Sequence, residues 1–156
     1  MTVKKAKMQA QPNFANQVTT RLQRAFTNLH VLLYQWGGGA IGGHMGKSPV
    51  LLLTTTGRKT GKLRTTPLLY LTDGDRFVVP ASNGGSAKHP TWWLNLQSNK
   101  DAVVQVKREK IRVRAQLAST EERQGLWARL VAMYPAYADY QKRTRREIPV
   151  VILLAQ

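Results

Sequence analysis

Two apolar runs on either side of a short cationic turn constrain this fold more than any other feature of the sequence. The runs cover residues 50–55 and 65–72, and both are rich in leucine and threonine. Such runs predict β-strands, and the glycines between them predict a turn. Because a connection this short cannot cross over a sheet, the two strands are expected to pair in antiparallel fashion.

The turn predicts an anionic ligand. Four cations lie within it or directly after it, with no acid nearby: Arg58, Lys59, Lys62 and Arg64. These side chains repel one another, and Gly57 and Gly61 would let an anion approach the backbone closely. A phosphorylated or polycarboxylated small molecule fits this chemistry, and so does a nucleic acid.

The charge of the whole chain agrees with an anionic partner without identifying it. The 156 residues carry a net charge of +16, and the first acid is Asp73. Such a basic half attracts anionic cofactors, lipid headgroups or nucleic acid. A solvated basic surface kept for solubility is equally compatible with the charge.

Apolar periodicity places helices around the strands. From Phe14 to Trp36, apolar residues recur every three or four positions, which predicts an amphipathic helix that covers one end of the sheet. Further strands are expected at residues 76–81, 103–107, 111–116 and 149–154, and further helices at residues 90–96, 119–134 and 135–143. Pro67 inside the second strand predicts an edge position or a bulge.

The short connections predict an α+β fold. Six strands joined mostly by turns favour a largely antiparallel barrel with flanking helices rather than a doubly wound sheet. We expect residues 1–12 to form a basic flexible tail. Residues 13–156 are expected to form one domain that includes the N-terminal helix.

The sequence lacks the side-chain patterns of hydrolytic and metal chemistry. It has no cysteine, its three histidines are scattered, and no serine lies in a nucleophile elbow. Residues 37–42 match the spacing of a dinucleotide fingerprint, but a helix precedes them where a strand is required. If the chain is an enzyme, a bound cofactor must therefore supply the chemistry.

Three tyrosines allow two interpretations. Tyr134, Tyr137 and Tyr140 are spaced to share one helix face. They form either a core stripe or the wall of a pocket, since Pro135 interrupts the helix between them and a buried hydroxyl needs a partner.

Membrane-spanning and export signals are missing from the sequence. No apolar run approaches the ~20 residues that a spanning helix needs, and no signal peptide is recognisable. We therefore expect a cytoplasmic protein. The basic amphipathic helix is also compatible with peripheral contact at the inner face of an anionic membrane.

Three ordered segments together resemble one known family. They are residues 50–61 with Arg64 and Pro67, residues 81–96, and residues 134–151. In these segments the chain is similar to the deazaflavin (coenzyme F420)-dependent nitroreductase-like oxidoreductases of actinobacteria. The resemblance extends from about residue 35 to the C-terminus, and it implies a split β-barrel of the flavin-reductase type.

The resemblance also implies a cofactor, coenzyme F420, whose phosphate and γ-linked glutamate tail suit the cationic turn. By motif position, the implied cofactor-binding residues are Arg58, Lys59, Lys62, Arg64, Pro67, Ala81, Ser82, Asn83 and Trp92. The implied substrate-binding residues are Leu69, Tyr134, Tyr137 and Tyr140, and the implied catalytic residues are Ser82, Tyr134 and Tyr137. Asn83 and Leu69 replace a lysine and a tyrosine of the nitroimidazole-reducing members, which weakens the expectation of nitroimidazole reduction.

The implied reaction is hydride transfer from reduced deazaflavin to an electron-poor acceptor such as a quinone, an enone or a nitroaromatic. Two alternatives stand beside it. A barrel that binds FMN or haem needs less positive charge than the turn offers, and a basic module for nucleic acid or anionic membrane needs no coloured cofactor. No specific nucleic-acid partner is expected, and the sequence predicts no particular oligomeric state.

Overall fold

The structure is a computed structural model that describes residues 14–156, with side chains from residue 22 onward. The predicted basic tail, residues 1–12, lies outside the described residues. The helices are α1 Phe14–Gly37, α2 Thr91–Ser98, α3 Thr120–Met133 and α4 Ala136–Arg143. The strands are β1 His44–Met45, β2 Ser48–Thr56, β3 Leu63–Leu69, β4 Leu71–Asp73, β5 Arg76–Pro80, β6 Asp101–Val106, β7 Glu109–Leu117 and β8 Val150–Ala155.

The strands form an antiparallel barrel. They follow the order β2-β6-β7-β8-β5-β4, while β3 pairs with the other side of β2 and the short β1 extends the sheet beside it. Only Tyr70 separates β3 from β4, so the two act as one bent strand that pairs with β2 at one end and with β5 at the other. The ring closes through this bent strand, which confirms the predicted mostly antiparallel six-stranded split barrel with flanking helices.

Pro67 lies on an edge of the sheet, which is one of the two positions predicted for it. It sits opposite Leu52 of β2, and in the described part of the chain β3 has no second partner strand. A proline is tolerated here because its missing N–H removes no ladder hydrogen bond on the unpaired side.

Two larger apolar clusters stabilise the fold, and a third, smaller one lies under α1. The first fills the barrel with side chains of alternate strand positions and of α2, including Leu51, Leu53, Val79, Val104, Leu153, Trp92 and Trp93. The second lies where α3 and α4 pack on the barrel, and it includes Leu126, Leu130, Tyr137, Val150 and Ile152. Ser119 and Glu122 form a capping box at the start of α3, where the sequence predicts a helix start.

The apolar stripe of α1 does not pack as expected. The stripe faces away from the barrel, with Phe26 74% and Trp36 93% exposed. The helix contacts the barrel through another face, on which Tyr34 is buried with Val50 and Leu52, and Val31 packs beside them. The prediction that the stripe covers one end of the sheet is therefore wrong.

A polar tether explains the orientation of α1. The Tyr34 hydroxyl donates to the Val50 carbonyl at 3.0 Å and accepts from the Lys107 N–H at 3.0 Å. These bonds orient the helix by one buried tyrosine near its C-terminal end. Periodicity identifies an apolar face but not the surface that it meets.

None of the described helices combines the length and the apolarity that crossing a membrane requires.

Candidate active site

The cationic turn has a fixed backbone. The Gly57 N–H donates to the Lys62 carbonyl at 2.8 Å, and the Gly61 N–H donates to the Gly57 carbonyl at 2.7 Å. Gly61 has a φ of +68°, a conformation that side-chain-bearing residues rarely adopt. The backbone thus holds Arg58 and Lys59 at the surface in a fixed place.

A buried asparagine anchors this turn to α2. Asn95 is 2% exposed, its Oδ1 accepts from the Arg58 N–H at 3.1 Å, and its Nδ2 donates to the Thr55 hydroxyl at 3.1 Å. No role for Asn95 was evident from the sequence. The available signal was an amide beside Leu96 on the buried face of a short helix, where a polar side chain needs partners.

A groove of about 990 Å³ opens beside the turn. Arg58, Lys59 and Arg64 line one wall, and α1 and the residues Thr91 and Asn95 of α2 contribute others. Among the described residues that line the groove, none is Asp or Glu. The structure thus joins three of the four predicted cations in one cavity, whereas Lys62 is exposed outside its lining.

The predicted ring-binding residues lie on a separate loop after β5. Ala81 is buried, Ser82 is half-buried, and Asn83 is exposed. The Asn83 Nδ2 donates to the Lys88 carbonyl at 2.9 Å, so this amide is engaged in holding the loop. The loop runs directly into α2, whose first residue, Thr91, lines the groove.

Arg146 organises this loop. Its guanidinium donates to the Ser82 carbonyl at 2.8 Å, to the Ser86 carbonyl at 3.0 Å and to the Ala81 carbonyl at 3.2 Å. Burial lowers the pKa of the Arg146 guanidinium from its ordinary value. Burial and the nearby Arg146 charge also lower the pKa of His89.

Sequence reasoning missed Arg146. It stands in a run of charged residues between α4 and β8, and nothing in that run distinguishes it from its neighbours. Gln141 of α4 fixes the segment, since its Nε2 donates to the Arg146 carbonyl at 2.9 Å and its Oε1 accepts from the Ile148 N–H at 2.9 Å.

The three tyrosines form one aromatic cluster. The ring centroids lie 5.0 Å apart for Tyr134 and Tyr137, 6.0 Å for Tyr137 and Tyr140, and 6.4 Å for Tyr134 and Tyr140. Tyr137 is 5% exposed within the second core, and burial raises its pKa, whereas Tyr134 and Tyr140 are half-buried. Leu69 packs against the second apolar cluster, of which Tyr137 is a member.

The loop and the tyrosine helix are in direct contact. Gly85 lies so close to α4 that an added Cβ would come within 2.6 Å of the Tyr140 carbonyl oxygen. The loop that carries Ser82 therefore adjoins the aromatic cluster. Trp92 of α2 is buried in the barrel core with its ring edge-on to Trp93. It therefore anchors α2 to the barrel.

Most of the predicted site residues fall into two groups, whereas Lys62, Pro67 and Trp92 lie outside both. Arg58, Lys59 and Arg64 meet in the groove. The loop that carries Ala81, Ser82 and Asn83 meets the tyrosine helix α4 at Gly85, and Leu69 packs on the second apolar cluster, which includes Tyr137. Helix α2 connects this loop to the groove.

Comparison with known proteins relates this arrangement to one family. The family model for F420H(2)-dependent quinone reductases matches residues 26–155. The F420H(2)-dependent quinone reductase Rv1261c of Mycobacterium tuberculosis is 39% identical over 131 residues, which are 80% of this chain and 87% of that protein.

Two solved structures resemble the chain as well. The structure of an F420-H2 dependent reductase, FDR-A, has 40% sequence identity and a TM-score of 0.63, and the match covers 67% of this chain and 93% of that one. A protein described as a domain-swapped dimer has 34% identity and a TM-score of 0.65, with 89% and 98% of the two chains covered. These matches confirm the predicted F420 cofactor and oxidoreductase class, and the chain belongs to the F420H(2)-dependent quinone reductase family.

Proposed function

We propose that this F420-dependent oxidoreductase holds the anionic end of its cofactor in the cationic groove and reduces a quinone. The observation that carries the proposal is the meeting of Arg58, Lys59 and Arg64 in one cavity without a lining acid among the described residues. The quinone is the acceptor in the name of the family and of the M. tuberculosis relative.

The groove fits the phosphate and glutamate tail that the family resemblance implies. Arginine guanidinium groups bind phosphates and carboxylates through charge-assisted hydrogen bonds. Asn95 holds the Arg58 backbone, so the turn is in place before the anion arrives. Binding energy gained at a remote anionic tail can then orient the reacting ring.

The loop after β5 is assigned to the ring. Ala81 and Ser82 would contact its edge, while Arg146 holds the carbonyls of both residues in place. Pro67 directly follows Thr66, the last residue of β3 that lines the groove, and we assign it to shaping this end of the strand without direct contact. Trp92 anchors α2 in the barrel core. When bound, reduced F420 supplies the hydride.

Hydroxyl groups of this chain donate hydrogen bonds to the acceptor oxygen on which negative charge develops. Ser82 and Tyr134 are half-buried and lie on the adjoining loop and cluster, so we assign hydrogen-bond donation to them. Tyr137 is buried behind Tyr134, and we assign it to fixing that ring. Tyr140 and Leu69 complete an apolar and aromatic wall against which a quinone ring can stack.

Binding of purified F420 tests the assignment of the groove. We expect the double variant Arg58→Ala/Lys59→Ala to weaken the F420 dissociation constant by at least roughly tenfold, because hydrogen bonds between charged groups are lost. The matched control is Lys110→Ala/Arg112→Ala, which removes two exposed cations of β7 outside the groove. Unchanged affinity in the first variant would show that the tail binds elsewhere.

An acceptor screen tests the reaction. Oxidation of reduced F420 is followed spectrophotometrically with quinones, enones and nitroaromatics, and FMN and a DNA oligomer are compared with F420 as ligands. We expect quinones to give the highest kcat/KM. A clear preference for an enone or a nitroaromatic would contradict the quinone assignment.

We further propose that the exposed apolar stripe of α1 rests on an anionic membrane. Phe26 and Trp36 on this stripe are largely exposed, and the chain carries a net charge of +16. An apolar helix face on a strongly basic protein is the arrangement that binds anionic bilayers at their surface.

Vesicle sedimentation separates this proposal from subunit assembly. We expect the protein to sediment with phosphatidylglycerol vesicles more than with phosphatidylcholine vesicles, and Phe26→Ser/Trp36→Ser to lose this binding. A dimer in light scattering that the same double variant converts to a monomer, without vesicle binding by the original protein, would identify the stripe as a subunit contact instead.

A further inference from the structure

The polar side of α1 lines the groove. Arg24, Asn28 and Gln35 recur at intervals of four and seven residues, and all of them, with Gln23, contribute to the lining. This face lies on the side of the helix opposite the exposed apolar stripe. The helix thus presents cationic and amide groups to the same cavity that contains the cationic turn.

The attachment of α1 lies near its C-terminal end. The Tyr34 hydroxyl is bonded to the barrel backbone at Val50 and Lys107, and the His30 Nε2 lies 3.1 Å from the Gly42 carbonyl oxygen. Arg24 lies more than two helical turns before Tyr34, on a part of α1 whose groove face is exposed. This part of the helix is positioned beside the cavity, and its polar groups remain accessible to a ligand.

We propose that α1 is the outer wall of the groove that holds the cofactor's anionic tail, and that Arg24 selects for cofactors with longer carboxylate tails. The inference rests on the function proposed above and adds a specificity for tail length to it. Arg58, Lys59 and Arg64 face the anion from the barrel, and Arg24 faces the same space from α1.

Electrostatics explains why tail length is the property that Arg24 would detect. Each γ-linked glutamate adds a carboxylate, and the cations of the barrel wall meet the phosphate and the nearest carboxylates. Later carboxylates gain a charge-assisted hydrogen bond only if a cation lies on the opposite wall. The side-chain amides of Gln23 and Asn28 can donate to the same carboxylates.

Quenching of deazaflavin fluorescence measures this selectivity directly. Dissociation constants are determined for F420 with a long glutamate tail and for the form that carries the phosphate but no glutamate. We expect Arg24→Gln to weaken binding of the long-tailed form by about two- to fivefold, the range for an exposed ion pair, and to leave the form without glutamate unchanged. Arg24→Glu should enlarge the loss, and added salt should reduce the effect of both substitutions.

Arg112→Gln provides the matched control, because it removes an exposed arginine of β7 outside the groove. Equal losses for both cofactor forms, or no loss for either in both Arg24 variants, would overturn the role of Arg24. If Arg58→Ala/Lys59→Ala still weakens F420 binding in that case, the proposed cofactor groove stands and only this inference fails.

A second measurement does not depend on removing a charge. The chain contains no cysteine, so Gln23→Cys can be labelled uniquely with an environment-sensitive fluorophore. The long-tailed cofactor should shift its emission, and the form without glutamate should shift it much less. An identical response to both forms, or none to either, would contradict the placement of the tail against α1.

Discussion

At the scale of single residues, two polar side chains control the backbone on which the proposed site depends. Asn95 of α2 fixes the backbone of Arg58, and Arg146 fixes the loop that carries Ser82. Asn95 also lines the groove, but neither side chain is an obvious catalytic group. Both act by satisfying backbone groups that would otherwise lose their partners.

Replacing Arg146 by lysine should separate orientation from cofactor affinity. Lysine keeps the charge but cannot bond several carbonyls at fixed angles, so the loop should shift. We expect kcat for quinone reduction to fall roughly tenfold or more, while the F420 dissociation constant changes little, because orientation of the ring depends on the loop and tail binding does not. Steady-state kinetics and fluorescence quenching measure the two quantities.

Arg145→Lys is the control for this experiment, since it alters the exposed neighbouring arginine. Equal kinetics for the two variants would contradict the positioning role of Arg146. A loss of F420 affinity as large as the loss of kcat would indicate that Arg146 supports the whole site instead.

At the scale of elements, the contact between the loop and α4 allows a matched pair of glycine substitutions. Gly84 and Gly85 both have positive φ, +62° and +80°, but only at Gly85 would a Cβ meet the Tyr140 carbonyl oxygen, at 2.6 Å. Alanine at either position costs about 1–2 kcal/mol of backbone strain. Gly85→Ala should cost about 1–3 kcal/mol more, because the loop and helix are forced apart.

Urea unfolding of the two alanine variants gives this difference. We also expect Gly85→Ala to reduce quinone turnover more than Gly84→Ala, since the displaced loop carries Ser82. Equal stabilities of the two variants would mean that α4 shifts to accommodate the added methyl group. The close contact would then contribute nothing to the free energy of unfolding.

A charge network joins the β4–β5 turn to α3 and makes the stability of the fold depend on pH. Asp73 is paired with Arg76 and with Arg129, and Arg76 also bonds Glu122 at 3.0 Å. The hydrogen bonds from Arg76 and Arg129 lower the pKa of Asp73 below its ordinary value of 3.8. A lowered folded-state pKa stabilises the protein above the ordinary value, and this contribution is lost as the pH falls through the folded value.

Asp73→Asn should therefore lower the urea midpoint at pH 7, and the gap to the original protein should close as the pH falls below about 3.8. Asp75→Asn, an exposed carboxylate in the same turn, is the control and should show a smaller gap at pH 7. A gap for Asp73→Asn that persists unchanged at low pH would show that charge pairing is not its source.

At the scale of the whole molecule, the net charge of +16 should raise both the association rate and the affinity of the anionic cofactor. The lining cations are exposed, so salt should screen them, with a Debye length of about 10 Å at 0.1 M falling to about 3 Å at 1 M. We expect the F420 dissociation constant to rise with added sodium chloride. A deazaflavin without phosphate or tail is the control and should respond little.

A salt-independent affinity for F420 would contradict an electrostatic origin of the binding. A response of equal size for the deazaflavin without phosphate or tail would point to a general effect of salt on the protein. Both outcomes can be read from one set of quenching titrations.

The sequence by itself determined what depends on neighbouring residues. The strand pair around the turn and the start of α3 at Ser119 follow from patterns a few residues long, and the structure has them where they were predicted; Pro67 takes the edge position, one of its two predicted alternatives. The four cations were evident for the same reason, since like charges close in sequence remain close in any fold.

Only the tertiary structure decided which surfaces and partners meet. Arg58 and Asn95 are 37 residues apart in the chain, and Arg146 and Ser82 are 64 apart, so no local pattern could pair them. The same applies to α1, whose apolar stripe suggested burial although a tether at Tyr34 turns it outward. Local patterns reveal which faces a helix has, but the contact that fixes its orientation lies elsewhere in the chain and becomes apparent only when the barrel has closed.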